Sequence, residues 1–276
     1  MPAVDALTLR EAAARLGVHY MTVYGYVRTG RLDARRDGAQ WRVDARAVDD
    51  LLTPRPDRRS RRDDVLPARL AARLLAGDEA GAWRVVERAL VGGREPEAVH
   101  LDLLAPALRG IGRRWERGLI GIGDEHMATT TAQRIVARLG PRFARRGPTR
   151  GTVVLGCVAG ERHSLASAVL ADLLRGRHFT AIDLGADAPP ESFVEAAAST
   201  DRSIVVAVGA LCTGREPELR ATFAALRDSS IDAPCYAGGP GLSGARAARA
   251  LGADGWTGRD GRAALATIDA LMSAHR

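Results

Sequence analysis

The chain contains no lysine; all forty of its Lys-plus-Arg positions are arginine. That excludes a lysine nucleophile, a Schiff base and a Walker-type phosphate lysine. Cysteine is also scarce. Cys157, Cys212 and Cys235 are far apart and set in apolar, strand-like runs. They fit neither a zinc pattern nor a disulfide framework, so they read as buried free thiols. Long hydrophobic runs are missing, and so are the basic start and apolar core of a signal peptide, which leads us to expect a soluble, cytoplasmic protein. Aromatics make up only 4% of the chain, against 46% hydrophobic residues overall, so Ala, Leu and Val must build the core. At 276 residues there is room for two or three domains. The net charge of +7 suits an anionic partner.

The positive charge is concentrated at the start. Residues 1–62 hold thirteen arginines against eight acids, five of the seven net charges. Thr8 with Glu11 is a capping-box start for the helix LREAAARL, which Gly17 ends. A second helix over about His19 to Thr29 follows a short turn, the pattern of a helix-turn-helix. On it Val23 and Val27 face inward, while Tyr20, Tyr24 and Arg28 share another face. Asp37-Gly38 is a hairpin dipeptide between two short strands that would carry Arg35, Arg36 and Arg42. Asp44 reads as the cap of a further helix ending at Leu51-Leu52. Residues 54–64, PRPDRRSRRDD, lack any apolar residue and read as an exposed basic linker. One tethered head binds DNA weakly, which favours an assembly presenting several.

Residues 65–147 carry four helical patterns, at about 66–76, 79–91, 96–117 and 124–139, and predict a four-helix bundle. Pro96 suits a helix start, and Pro106 should kink or break the third helix. Between the third and fourth lies WERGLIGIGDEH, residues 115–126, with Trp115 nine residues ahead of the Glu125-His126 pair. Trp115 continues the spacing of Leu104, Leu108 and Ile111, so it can end a core stripe; Glu125 can be a first-turn carboxylate. A ligand lid at the bundle end is the other possibility.

Residues 150–276 alternate apolar runs with alanine-rich helical segments, predicting a doubly wound parallel sheet. Ligands gather at the strand C-terminal ends in such folds, where this chain places GERHSLA (160–166), VGALCTG (208–214) and AGGPG (237–241). His163 is either an ordinary polar loop residue or a ligand for a soft or borderline metal, with Glu161 fixing its tautomer.

Two resemblances organise these readings. The pattern LTLREAAARLGVHYMTVYGYVRTGRL, followed by WRVD, resembles the winged-helix head of MerR-family and excisionase-like regulators. It implies that Tyr20, Thr22 and Tyr24 meet base edges while Arg28, Arg35, Arg36 and Arg42 position the backbone. Glu161-x-His163-x-x-Ala166 is followed after 42 residues by Gly209-Ala210-Leu211, and after 26 more by Gly238-Gly239. This spacing is similar to the Asp-x-His-x-x-Gly, Ser-x-Leu/Thr and Gly-Gly series of corrinoid-protein cobalamin-binding domains. With the preceding bundle and Trp-x9-Glu-His, the whole chain resembles light-sensing repressors of the CarH type.

That resemblance implies a multidomain α/β protein: a winged helix-turn-helix (1–53), the linker (54–64), a bundle cap (65–147) and a Rossmann-like cobalamin-binding domain (150–276). It implies His163 as the lower axial cobalt ligand, and Trp115, Glu125 and His126 around the upper adenosyl group. Glu161, Gly209, Leu211, Gly238 and Gly239 fall at cofactor-binding positions of the family. Four positions depart from the family pattern: Glu161 replaces Asp, Ala166 replaces Gly, Gly209 replaces the Ser that contacts the buried tail base, and Glu116 stands where the photoreceptors carry His. The implied function is non-enzymatic. It is a cobalamin-dependent transcriptional regulator, a light-responsive repressor using adenosylcobalamin, acting on a double-stranded DNA operator as a homo-oligomer (dimer or tetramer). The alternatives are a light-independent cobalamin sensor, a corrinoid methyl carrier, or a regulator whose sheet domain has lost cobalamin.

Overall fold

The computed structural model describes residues 6–28, 32–38, 40–52, 58–200 and 204–274. The chain divides into two compact units, Met1–Asp64 and Val65–Arg276.

In the first unit β1 (Ala6–Thr8) leads into α1 (Leu9–Leu16), α2 (Tyr20–Arg28), β2 (Ala34–Asp37), β3 (Gln40–Asp44) and α3 (Ala45–Leu52). The capping box forms: the Thr8 hydroxyl accepts from the Glu11 amide at 3.3 Å, and the Thr8 amide donates to Glu11 Oε2 at 2.7 Å. Gly17 closes α1 with φ of 66°, a conformation that costs a glycine little. The expected hairpin is present, but β3 is a central strand, because β1 pairs antiparallel on its other side. Three residues of ALT were too short a signal to be read as a strand. Leu9, Ala12, Ala13, Val23, Leu32, Val43 and Val48 form the core of this unit. Residues 29–31, where the second helix was expected to end, lie outside the described residues.

The expected linker is only partly a linker. Residues 54–57 lie outside the described ones, but α4 runs Arg58–Leu75 and takes in the rest of the basic stretch. Arginine is a good helix former, which suits a basic stretch to a helix. Pro67 sits inside it. Next come α5 (Glu79–Val91), capped by Asp78, then α6 (Pro96–Ala98), a π-helical turn (Val99–Leu104), α7 (Ala105–Glu116) and α8 (Ile122–Leu139). The π turn is how the third helix absorbs Pro106. A proline ring clashes with the carbonyl four residues back and donates no hydrogen bond. Widening the preceding turn lets the helix continue, with the Ala105 amide reaching back to the His100 carbonyl.

The remainder alternates as β4 (Thr152–Cys157), α9 (Leu165–Gly176), β5 (Thr180–Asp183), α10 (Pro190–Ala198), β6 (Ile204–Gly209), α11 (Glu216–Asp228), β7 (Cys235–Gly238), α12 (Ala245–Ala250), β8 (Gly255–Trp256) and α13 (Gly261–Ala274). All five strands are parallel, in the order β5-β4-β6-β7-β8. The direction of winding reverses between β4 and β6, which makes their C-terminal ends the switch point where ligands bind in open sheets.

Bundle and sheet share one core. Leu70, Leu74, Trp83, Leu103, Leu104, Ile135 and Leu139 pack in the same cluster as Val153, Leu173, Leu174, Leu265 and Ile268. Polar ties cross the same junction: Arg177 to Glu97 at 3.0 Å, Arg262 to Asp102 at 2.8 Å, and buried His100 Nε2 to Asp172 at 3.1 Å. His100 belongs to the π turn and stacks on Phe143 at 4.8 Å. Among the described residues no helix is long and apolar enough to cross a membrane.

Candidate functional site

The site is built at the switch point. The loop leaving β4 carries Glu161, which is only 1% exposed, and His163, which is exposed. Glu161 Oε2 accepts from the backbone amides of Leu211 at 2.9 Å and Cys212 at 2.8 Å, both in the loop after β6. Its Oε1 lies 2.5 Å from His163 Nδ1 and accepts from the His163 amide at 3.2 Å. Burial alone pushes the Glu161 carboxyl upward. Hydrogen bonds from the Cys212 amide, the His163 ring and amide, and the Leu211 amide outweigh it and hold the group below the usual carboxylate range. A carboxylate held this way fixes the His163 ring through Nδ1. No described residue bonds to Nε2.

The extra methylene of Glu relative to the Asp of the resembling motif has a clear use. It lets one carboxylate span from its own loop to the β6 loop and still reach the imidazole. A second loop supports this one: Asp187, after β5, accepts from the Gly160 amide at 2.6 Å and donates its own amide to the Glu161 carbonyl at 2.9 Å. Asp187 holds a φ of 54°, a strained conformation kept by these contacts. Sequence reasoning passed over Asp187. Its signal was the LGADAPP loop following the second strand.

The glycine pair closes the third side. Gly239 has φ of 103°, and a Cβ there would stand 2.3 Å from the Ala210 carbonyl oxygen. At Gly238 a Cβ would meet Thr257 Oγ1 at 2.6 Å. The β6 and β7 loops therefore touch backbone to backbone, with Ala210 donating to Gly238 and Gly241 donating back to Ala210. Gly209 is tight too: a Cβ would lie 3.3 Å from the Gly156 carbonyl, so a serine there would need its neighbours to shift.

All three cysteine thiols are pushed up, first by burial, but their exposure differs. Cys157 is buried and its thiol is pushed up to about 12, first by burial and then by the charges of Glu161 and Asp183. Cys235, also expected to be buried, is half-buried, and its thiol is pushed up to about 11, mainly by burial. Cys212, expected to be buried, is exposed, and its Sγ lies 3.7 Å from His163 Nδ1. Its place just past the end of β6 turns it out of the apolar layer.

At the bundle end, Trp115 is 47% exposed on the last turn of α7, so it does not end the core stripe; Ile111 does. Leu119, Ile122 and Met127 are exposed beside it in the sequence. Glu125 lies in the first turn of α8, as its position suggested, and accepts from the Thr129 hydroxyl at 2.7 Å. Exposed His126 has Nε2 3.8 Å from Glu125. Among the described residues no hydrogen bond or ion pair joins Trp115, Glu125 or His126 to the His163 loops.

On the head, Tyr20, Thr22, Tyr24 and Arg28 are exposed on α2. Arg35 and Arg42 stand directly opposite each other in the β2–β3 register, and Arg36 lies over the Trp41 ring. Arg42 is partly committed within the hairpin, donating to the Ala6 carbonyl at 3.4 Å with Asp37 at 3.7 Å.

Comparison with known proteins agrees with this architecture. Residues 66–139 and 151–268 each match a family model described as a B12 binding domain, and residues 6–56 match one described as a helix-turn-helix domain. The trimethylamine corrinoid protein 1 of Methanosarcina acetivorans is 27% identical over 139 residues, 49% of this chain and 64% of that protein. The dimethylamine corrinoid protein of Methanosarcina barkeri is 31% identical over 132 residues, 47% of this chain and 61% of that protein. The chain thus spans somewhat under two-thirds of the length of these relatives. The structure of the Methanosarcina barkeri monomethylamine corrinoid protein superposes with a TM-score of 0.64 at 20% identity, over 73% of this chain and 96% of that one, a likeness of fold. A B12-binding module, helical cap plus parallel sheet, therefore follows a helix-turn-helix domain on one chain.

Proposed function

We propose that the chain is a transcriptional regulator, not an enzyme, whose DNA binding is set by cobalamin. The observation that carries this reading is the fusion itself: a basic helix-turn-helix head on the same chain as a B12-binding module. The residues at the switch point suit the cofactor. An exposed imidazole held through Nδ1 offers Nε2 to a metal, and the glycine pair lets the β6 and β7 loops close backbone to backbone beside it. Cobalamin, when bound, would supply a cobalt centre able to take an imidazole ligand and to exchange another.

In this proposal His163 would hold the cobalt, with Glu161 keeping the imidazole proton on Nδ1. Gly209, Leu211, Gly238 and Gly239 line the tail side. Trp115, Glu125 and His126 would enclose the adenosyl group, with the exposed apolar surface of Trp115 available to exclude water from it. Adenosylcobalamin is the proposed form, with light as the input. A light-independent sensor is the near rival, because Glu116 replaces the histidine found in the photoreceptors. On the head, Tyr20, Thr22 and Tyr24 meet base edges, while Arg28, Arg35, Arg36 and Arg42 meet phosphates. Like charges directly opposite on two strands repel, so the facing Arg35 and Arg42 are best relieved by a bridging anion. A homodimer or tetramer would present enough heads for operator affinity.

A second reading, a corrinoid methyl carrier serving a methyltransferase, is favoured by the curated relatives, whose names bear more directly on it than on a regulator. The helix-turn-helix head is what it leaves without a task. Selection of DNA fragments by the full chain separates the two, run without cofactor, with adenosylcobalamin in the dark, and after green light. Sequence-selective binding that changes with cofactor state supports the regulator. No selective binding in any state turns the assignment to the carrier. An absorption spectrum unchanged by illumination removes light as the input.

A further inference from the structure

Cys212 has no task in the cobalamin reading, yet it stands beside the residue that reading depends on most. We infer that Glu161, His163 and Cys212 form a site for a thiophilic divalent cation, zinc in the first instance, when the chain lacks its corrinoid. One ligand atom from each side chain lies within 4.8 Å of the other two. Nδ1 of His163 is 2.5 Å from Glu161 Oε1 and 3.7 Å from Cys212 Sγ.

Nitrogen, oxygen and sulfur in these numbers are what zinc takes, with bonds of about 2.0–2.2 Å to N and O and about 2.3 Å to S. Tetrahedral angles then set the N-to-O and N-to-S separations at roughly 3.3 and 3.5 Å. The sulfur already stands close to its place relative to the nitrogen, and it lies within 4.8 Å of the carboxylate oxygen. The imidazole must swing back from the carboxylate by less than about an ångström as the metal replaces the shared proton, and an exposed ring is free to do so. Glu161 is the fixed member, anchored by the Leu211 and Cys212 amides through its other oxygen. The exposed sides of His163 and Cys212 leave the fourth position to water. Cys157 stays outside the site, because its thiol is buried and donates to the His163 carbonyl.

The protons balance simply. Binding releases the Cys212 thiol proton to solvent, and the imidazole proton moves from Nδ1 to Nε2 through water. The divalent charge is then met by thiolate and carboxylate. This tautomer has a consequence: a neutral imidazole has one lone pair, so a metal on Nδ1 leaves Nε2 protonated and unable to ligate a second metal. Zinc and a corrinoid would therefore compete for His163. That competition rests on the proposed cobalt-ligand role of His163; the zinc site itself does not.

The test uses full-length protein prepared free of corrinoid. Titration with aqueous Co2+ as a spectroscopic probe should give one equivalent bound, with a thiolate-to-metal charge-transfer band that added Zn2+ removes. Cys212→Ser should abolish the band and weaken zinc by more than about tenfold, while Cys235→Ser leaves both unchanged. No band in the parent chain, or a band retained in Cys212→Ser, overturns the site. Loading of hydroxocobalamin into zinc-saturated protein should be slowed at least about tenfold, restored by a chelator, and not slowed in Cys212→Ser. Unimpeded loading overturns the competition. If the band appears but no preparation takes up hydroxocobalamin, the zinc site stands and the cobalamin reading falls.

Discussion

Glu161→Gln tests the switch-point geometry with almost no change of shape. The parent carboxylate accepts four hydrogen bonds, two from β6-loop amides and two from His163. A glutamine can keep its oxygen toward Leu211 and Cys212, but its NH2 then faces the His163 amide, and that contact fails; the ring can accept from the NH2 only as its other tautomer. Hydrogen bonds to a charged group contribute about 1.5–3 kcal/mol each, and neutral ones about half that. The exposed His163 ring regains water, so its loss is small; the amide loss and the weakening of two buried bonds are not. A destabilisation of about 2–3 kcal/mol follows, a large share of the roughly 5–15 kcal/mol available to a domain.

The pH dependence has a definite sign. The folded-state pKa of Glu161 is lowered, so its stabilisation is complete above the unfolded value of about 4.3. It is lost as pH falls through the lower folded value. Urea unfolding of both proteins from neutral to acid pH should show a gap at pH 7 that closes in acid. Equal stability at pH 7, or a gap unchanged in acid, would refute the anchoring role of Glu161.

Four further outcomes can be measured. His100→Ala removes one hydrogen-bond partner from buried Asp172 and leaves it with Arg175 alone; thermal unfolding should show a loss of about 1–3 kcal/mol. Gly239→Ala forces a residue at φ of 103° against the Ala210 carbonyl, which should cost about 1–3 kcal/mol of stability and lower B12 uptake in a binding titration. Thr8→Ala should remove about 1 kcal/mol from the head, read by unfolding monitored in the head, through loss of the capping box. Arg35→Ala, if that residue meets phosphate, should weaken all DNA sequences alike and lower the salt-dependence slope by about 1.

Elements with local causes were legible. Thr8 and Glu11 announce a helix start, because both halves of a capping box lie within one turn. The β/α alternation announces a parallel sheet, since each crossover must bury an apolar strand. The misses share a different cause. The β1 strand exists only because β3 lends it a partner. Trp115 continues a helical stripe in spacing, which left a core residue and a ligand lid both open; its turn runs past the end of the packed layer, so only the core alternative falls. Pro106 promised an interruption without saying which kind, and the surrounding core chose a widened turn over a break.

By itself, then, the sequence determined the order of a basic helix-turn-helix, a helical cap and a doubly wound sheet. It also determined that His163 and Gly238-Gly239 would end up at strand C-terminal ends. Each follows from patterns within a few turns or from the fixed polarity of parallel strands. The tertiary structure alone decided that Glu161 would reach across to the Leu211 and Cys212 amides, that Asp187 would brace the same loop, and that Cys212 would come to rest against His163. Those contacts join residues tens of positions apart through the strand order β5-β4-β6. Local periodicity carries no record of which loops that order makes neighbours.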